Sequence, residues 1–228
     1  MKKTIALLAV TAAVTLSVSA QGLVNFNNSS AAGTKISTNT VVGGAATGLA
    51  VINTGSASFY YALFDSASAT NVGGSATAIT GNTGSTYAFG DASWTLQGYA
   101  TNGTTRAGQV FGSAALTLNN ISGAATGRFV VIGWSANIGS TIAELMTWYN
   151  GGSPQTAGFI GQSAVTGLLT AGDGAGVSTP SLFGTTSPFS PGFTLGLVAP
   201  VAAVPEPGTM ALAALGGASL LLFRRKNK

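Results

Sequence analysis

Residues Arg128 to Trp134 read RFVVIGW, and this run constrains the fold more than any other stretch of the chain. Side chains along a strand point alternately to opposite faces, and here both sets are apolar. A strand of that kind belongs in the interior of a sheet covered on both sides. A second run, Ser58 to Phe64 (SFYYALF), puts Phe59, Tyr61 and Leu63 on one face and Tyr60, Ala62 and Phe64 on the other. Weaker strand candidates are Leu23–Phe26, Ala114–Leu118 with Leu116 and Leu118 together, Ala164–Leu169 and Phe193–Val198. Turn-forming pairs punctuate them: Gly73-Gly74, Gly81-Asn82, Asn102-Gly103 and Asn119-Asn120.

Residues 21–204 are dense in Gly, Ser, Thr, Asn and Ala, a composition shared by disordered chains, solenoids and turn-rich β domains. Trp94, Trp134, Trp148 and the five Tyr supply enough large apolar surface for a core, which argues against disorder. A solenoid needs a repeat of fixed period, and the chain has none. The expected fold class is therefore all-β, a β-sandwich of about 8–10 antiparallel strands. One short helix is expected inside it. Thr141-Ile142-Ala143-Glu144 has capping-box spacing, and Ile142, Leu145, Met146 and Tyr149 fall on one helical face. Asn150-Gly151-Gly152 ends that pattern, and the helix is expected to cover an open end of the sandwich.

Composition excludes more chemistry than it suggests. The 228 residues hold no Cys and no His, so disulfides, thiol chemistry and the Ser-His-Asp triad are impossible. The net charge of +4 and the pI near 9.6 belong to the two ends. Between Gln21 and Val204 the charged side chains are Lys35, Arg106 and Arg128 against Asp65, Asp91, Glu144 and Asp173, a balance of one negative charge. Nucleic-acid binding needs clustered Lys and Arg on the folded body, and no such cluster exists.

The ends carry their own signals. Residues 1–20, MKKTIALLAVTAAVTLSVSA, have a basic start at Lys2-Lys3, an apolar stretch and small residues at Val18 and Ala20. This is the secretory signal pattern, with cleavage expected between Ala20 and Gln21 by signal peptidase after passage through the Sec translocon. At the other end, Val204-Pro205-Glu206-Pro207 is a rigid extended tetrapeptide, because proline disfavours helix in itself and in the residue before it. The 15 residues Thr209–Phe223 then form an uncharged, mostly apolar run. As a helix it would reach about 22 Å, short of a hydrocarbon core of about 30 Å. Arg224, Arg225 and Lys226 follow as a membrane stop held on the cytoplasmic side. The expected organisation is thus a signal peptide (1–20), a β-sandwich body (21–200) and a C-terminal sorting signal with a short transmembrane helix (201–228).

That tail resembles the PEP-CTERM sorting signal of Gram-negative bacteria, through Pro205-Glu206-Pro207, the apolar run and the terminal basic cluster, in that order. The resemblance implies an exported protein held transiently in the inner membrane with its body outside. It implies an exosortase as partner, which recognises the Pro-Glu-Pro motif and removes the tail. A permanent single-span anchor is the competing reading of the same segment. The body is similar to a group of PEP-CTERM proteins from Verrucomicrobia-type bacteria. The shared pieces are Gly22–Asn28, Tyr61-Ala62-Leu63-Phe64, Arg128–Trp134 and a Gly161-Gln162-Ser163 turn. That similarity implies a β-sandwich and brings no mechanism, cofactor or metal.

Within the body the candidate residues are few. Asp65 and Asp91 are the carboxylates a hydrolase would need to bring into one cleft, and turn chemistry is the simpler expectation for both. Asp173 lies in a Gly-rich loop (AGDGAG) resembling a calcium loop but lacks neighbouring ligands. Glu144 reads as a helix cap. A Ser–Lys pair would have to use Lys35, and no motif supports it. Trp94, Trp148 and the tyrosines could stack on sugar rings, against core packing as the plainer role. Three N-x-S/T tripeptides start at Asn28, Asn102 and Asn120. The expectation is a non-enzymatic envelope or matrix protein at the cell surface or in extracellular polysaccharide, with a carbohydrate-binding module or adhesin as the alternative.

Overall fold

The computed structural model describes residues 21–28, 35–39, 47–50, 58–81, 86–151, 156–184, 186–189, 192–200, 212, 215 and 216. Twelve strands lie among them. They are β1 (Gln21–Val24), β2 (Ser37–Thr38), β3 (Gly48–Leu49), β4 (Phe59–Ser66), β5 (Ile79–Thr80) and β6 (Thr95–Asn102). The others are β7 (Val110–Phe111), β8 (Leu116–Ser122), β9 (Thr126–Ser135), β10 (Gly158–Gln162), β11 (Leu169–Thr170) and β12 (Thr194–Val198). The helix α1 spans Ile142–Asn150, and two 3₁₀ turns cover Ala88–Gly90 and Ala136–Ile138. The mostly-β expectation with one helix holds.

Ten strands share one sheet. Eight run in the order β3-β2-β12-β10-β9-β4-β6-β7, with β11 also paired to β9 and β5 to β10. β1 and β8 form a separate two-stranded sheet. Every pairing is antiparallel except β2 with β12, which is parallel. β9 is central, as its apolar run demands: β4 pairs along it from Ser135 to Arg128, while β10 and β11 take its other edge.

Two cores sandwich this strand. Phe129 and Val131 join Phe59, Tyr61 and Leu63 of β4 in one cluster, roofed by Val24, Leu118 and Ile121 of the two-stranded sheet and by Leu182, Phe183 and Phe189. Val130, Ile132 and Trp134 join Ala62 and Phe64 in the other, under Tyr87, Trp94, Ile142 and Leu145. The alternation read from SFYYALF and RFVVIGW therefore sorts side chains into the two clusters as expected. α1 contributes Ile142 and Leu145 to the second cluster.

Three local readings are corrected. Asn119 and Asn120 lie inside β8, and the turn comes after it, where Ala125 N–H donates to Ser122 O and Ala124 takes a φ of 62°. Gly161 and Gln162 belong to β10 and not to a turn. Residues 164–168 do not form a regular strand. There Ser163 Oγ and Thr166 Oγ1 accept the N–H groups of Val131 (3.0 Å) and Phe129 (2.8 Å), so hydroxyls stand in for carbonyls beside β9. Buried asparagines act in the same way. Asn102 Oδ1 accepts from the N–H groups of Ser58 and Phe59, Asn28 Oδ1 from Val110, and Asn39 Oδ1 from Leu197. In this charge-poor chain, side-chain amides and hydroxyls satisfy part of the interior backbone.

Candidate functional site

The expected sorting residues Val204, Pro205, Glu206 and Pro207, the stop residues Arg224, Arg225 and Lys226, and Ala20 lie outside the described residues. Gln21 is described, is exposed and opens β1 opposite Ser122 of β8. In the apolar run Thr209–Phe223, Leu212, Leu215 and Gly216 are helical, with Leu212 and Leu215 exposed. Among the described residues no helix is long and apolar enough to cross a membrane.

Asp65, Asp91, Glu144 and Asp173 each hydrogen-bond to different partners. Asp173 Oδ1 accepts from the N–H groups of Ala175, Gly176 and Val177, each at 2.8 Å. Those donors, Ala175 first, hold its carboxyl below the usual range. The loop's amides thus converge on the side chain that a calcium ion would need, and among the described residues no cluster of acids could hold a metal. Asp91 accepts from Ser93 N–H (2.9 Å) and Gly73 N–H (3.0 Å), and the Ser93 amide foremost lowers its pKa. Glu144 completes the capping box: its Oε2 accepts from Ser140 N–H (2.7 Å) and Thr141 N–H (2.9 Å), while Thr141 Oγ1 accepts from Glu144 N–H. The Ser140 amide is the main reason its carboxyl is held low.

Asp65 departs from its expected turn role. It is fully buried at the end of β4. Gln97 Nε2 donates to Asp65 Oδ1 (2.9 Å) and to Asn120 Oδ1 (3.1 Å), and Gln97 Oε1 accepts from Asn119 N–H (2.7 Å). Oδ2 of Asp65 is buried without a partner. Burial pushes its carboxyl up to about 6, and the Asn120 and Gln97 side chains pull it partly back.

The tryptophans are also redistributed. Trp94 is buried, with its indole N–H donating to Asn71 O, so it cannot face a ligand. Trp148 is half-buried beside a shallow cavity lined by Ile138, Ala143, Glu144 and Thr147, and its N–H donates to Thr156 O. Two of the three N-x-S/T asparagines, Asn28 and Asn102, are buried and bonded to backbone. Sequence reasoning overlooked Phe111, 60% exposed on β7, and did not single out Tyr99, 44% exposed on β6.

These two rings border a cavity of about 300 Å³ with Tyr60, Ala100, Thr101, Ser140 and Thr141. The groove lies on the same sheet face as the second core, beside the start of α1. Its aromatic floor is fixed from below. Buried Trp134 stacks on Tyr60 with ring centroids 6.1 Å apart and meets Tyr99 edge-on at 6.4 Å. The Tyr99 hydroxyl accepts from Ile142 N–H (3.2 Å), which ties that ring to the first turn of α1. Among the described residues no charged side chain lines the groove. An alternation-based reading could have found this face, since Tyr60, Tyr99 and Thr101 share it, but β7 is only two residues long and gives no pattern.

Comparison with known proteins adds one match. Residues 203–226 match the PEP-CTERM protein-sorting motif, in agreement with the reading of the tail. The motif implies an exported protein sorted at the membrane, with exosortase processing. Neither a curated protein nor a solved structure is detectably similar to the chain.

Proposed function

We propose that the chain is an exported, non-enzymatic protein of the cell envelope or extracellular matrix, delivered by its C-terminal signal and trimmed by an exosortase. The observation that carries this reading is the sorting-motif match at residues 203–226. In it Pro205, Glu206 and Pro207 supply an extended, conformationally fixed peptide suited to a protease cleft. Thr209–Phe223 embeds transiently in the inner membrane, and Arg224, Arg225 and Lys226 resist transfer. Signal peptidase cuts after Ala20. Gln21 is exposed and is the first described residue of β1, so a cut before it keeps Gln21–Val24 in the body.

A non-enzymatic body is supported by the use of its acids. Asp91, Asp173 and Glu144 accept from local backbone amides, and Asp65 is enclosed. The exposed rings of Tyr99 and Phe111 favour a second reading, a carbohydrate-binding module or adhesin, in which extracellular polysaccharide is a partner.

Mass spectrometry of the protein from hosts with and without the exosortase tests the main reading. The expected mature form begins at Gln21 and lacks the basic tail, while the exosortase-deficient host retains a form ending at Lys228. Glu206→Ala should retain the tail in both hosts. Release of the same trimmed chain without the enzyme would refute the proposal.

A further inference from the structure

We infer that the groove between Tyr60, Tyr99, Phe111 and the Ser140-Thr141 turn is a binding subsite for a neutral pyranose ring of a polysaccharide. This rests on the second reading above and is independent of how the tail is processed. Three features select that ligand. First, exposed Tyr99 and half-buried Tyr60 are held, since Trp134 contacts both rings and Ile142 N–H fixes the Tyr99 hydroxyl, and Phe111 stands exposed beside them. Rings held in place lose little freedom on binding. Their negative faces suit the weakly positive C–H face of a sugar. Second, Thr101 brings a hydroxyl to the lining, and the Ser140 and Thr141 hydroxyls, which donate to Glu144 Oε2 (3.4 and 2.9 Å), keep lone pairs that can accept from a sugar hydroxyl. Third, the described lining is uncharged. Glu144, the nearest acid along the chain, directs Oε2 to the Ser140 and Thr141 amides. An anionic or cationic ligand would be desolvated there without a counter-charge.

The dimensions agree. A cavity of about 300 Å³ is at the small end of ligand sites, enough for one or two rings of a longer polymer. β7 is the last strand in the order of the main sheet, and its outer edge is bonded to Asn28, whose N–H donates to Val110 O (3.1 Å). The cavity beside Trp148 offers a single half-buried aromatic ring and includes Glu144. It is the weaker candidate and serves as the comparison.

The test uses the full chain, purified from an exporting host, in affinity gels cast with cellulose ether, mannan or alginate. The expected result is retardation by a neutral polymer and none by alginate. Phe111→Ala should weaken it by about tenfold, the scale of one lost aromatic contact, and Trp148→Ala should leave it unchanged. Phe111 is exposed, so its truncation should leave the melting temperature near that of the wild type. A variant-free measurement runs beside this: cellohexaose or mannohexaose should shift the NMR resonances of the Ile142 amide and the Trp134 indole.

Retention by neutral polymer that survives Phe111→Ala and fails in Trp148→Ala moves the site elsewhere and overturns this inference alone. Absence of retention and of shifts with all the neutral probes overturns the inference and the saccharide-binding reading together. Neither result touches the sorting reading. Retardation by alginate alone, or self-association in sedimentation that Phe111→Ala abolishes, would assign the groove to a different occupant and also overturn the inference.

Discussion

Among the described carboxylates, Asp65 is the one whose pKa is raised by burial. Its pKa is raised to about 6 in the folded chain, against about 3.9 when unfolded. A carboxyl raised on folding stabilises the native state fully below the unfolded value, and that contribution is lost as pH rises through the folded value. Asp65 should therefore cost stability between about pH 4 and about pH 6, by about 2–3 kcal/mol at most. Denaturant unfolding at several pH values is expected to show this slope in the wild type. In Asp65→Asn the slope should be absent and the protein more stable at neutral pH. Asp91, Glu144 and Asp173 have lowered values and act with the opposite sign, losing their contribution only as pH falls further. Comparing the two variants at each pH isolates Asp65 from them. This behaviour was not legible in the sequence, where Asp65 reads as a strand-ending turn residue. Its environment is built by Gln97, 32 positions away, and by Asn120 on another strand, and one-dimensional spacing does not reveal who shares a buried network.

At the scale of elements, legibility followed the source of each strand's hydrogen bonds. β4 and β9 take theirs from regular backbone neighbours and carry full alternation, so they could be read directly. The Ala164–Leu169 segment has apolar spacing as well, yet Ser163 and Thr166 use side-chain oxygens beside β9 and no regular strand forms. α1 was legible because its cap is local: Thr141 and Glu144 are three residues apart and need no other element. Thr141→Ala should destabilise the protein by about 1 kcal/mol, measurable by thermal or urea unfolding. Gly161 is a stricter position. A Cβ there would press on the carbonyl oxygen of Thr194 and lie 3.0 Å from Leu195 Cα, both main-chain atoms of the neighbouring segment. Backbone cannot swing aside as a side chain can, so Gly161→Ala should cost about 1–3 kcal/mol or more. A variant that melts with the wild type would show that β10 and β12 are less closely apposed than described.

For the whole molecule, the sequence disclosed destination more readily than architecture. The sorting motif is a linear signal, read by a partner in the order in which it is written. The division of strands into a sheet of ten and a sheet of two depends on which edges meet, including the parallel contact of β2 with β12 from opposite parts of the chain. The body's sparse charge has its own consequence at this scale. With Lys35, Arg106 and Arg128 its only basic side chains, screening has little to act on. The melting temperature should change by no more than about 2 °C between about 0.01 M and about 1 M NaCl. A larger rise or fall in calorimetry would reveal ionic interactions that matter to the fold. β12 also decides how the precursor bears load. On the proposed reading, a tail lodged in the bilayer would pull through β12, which is paired to β10 on one flank and β2 on the other. Gly196 to Val198 pair with β10 while Thr194 and Leu195 pair with β2, so such a pull meets the β10 ladder first and the β2 ladder behind it.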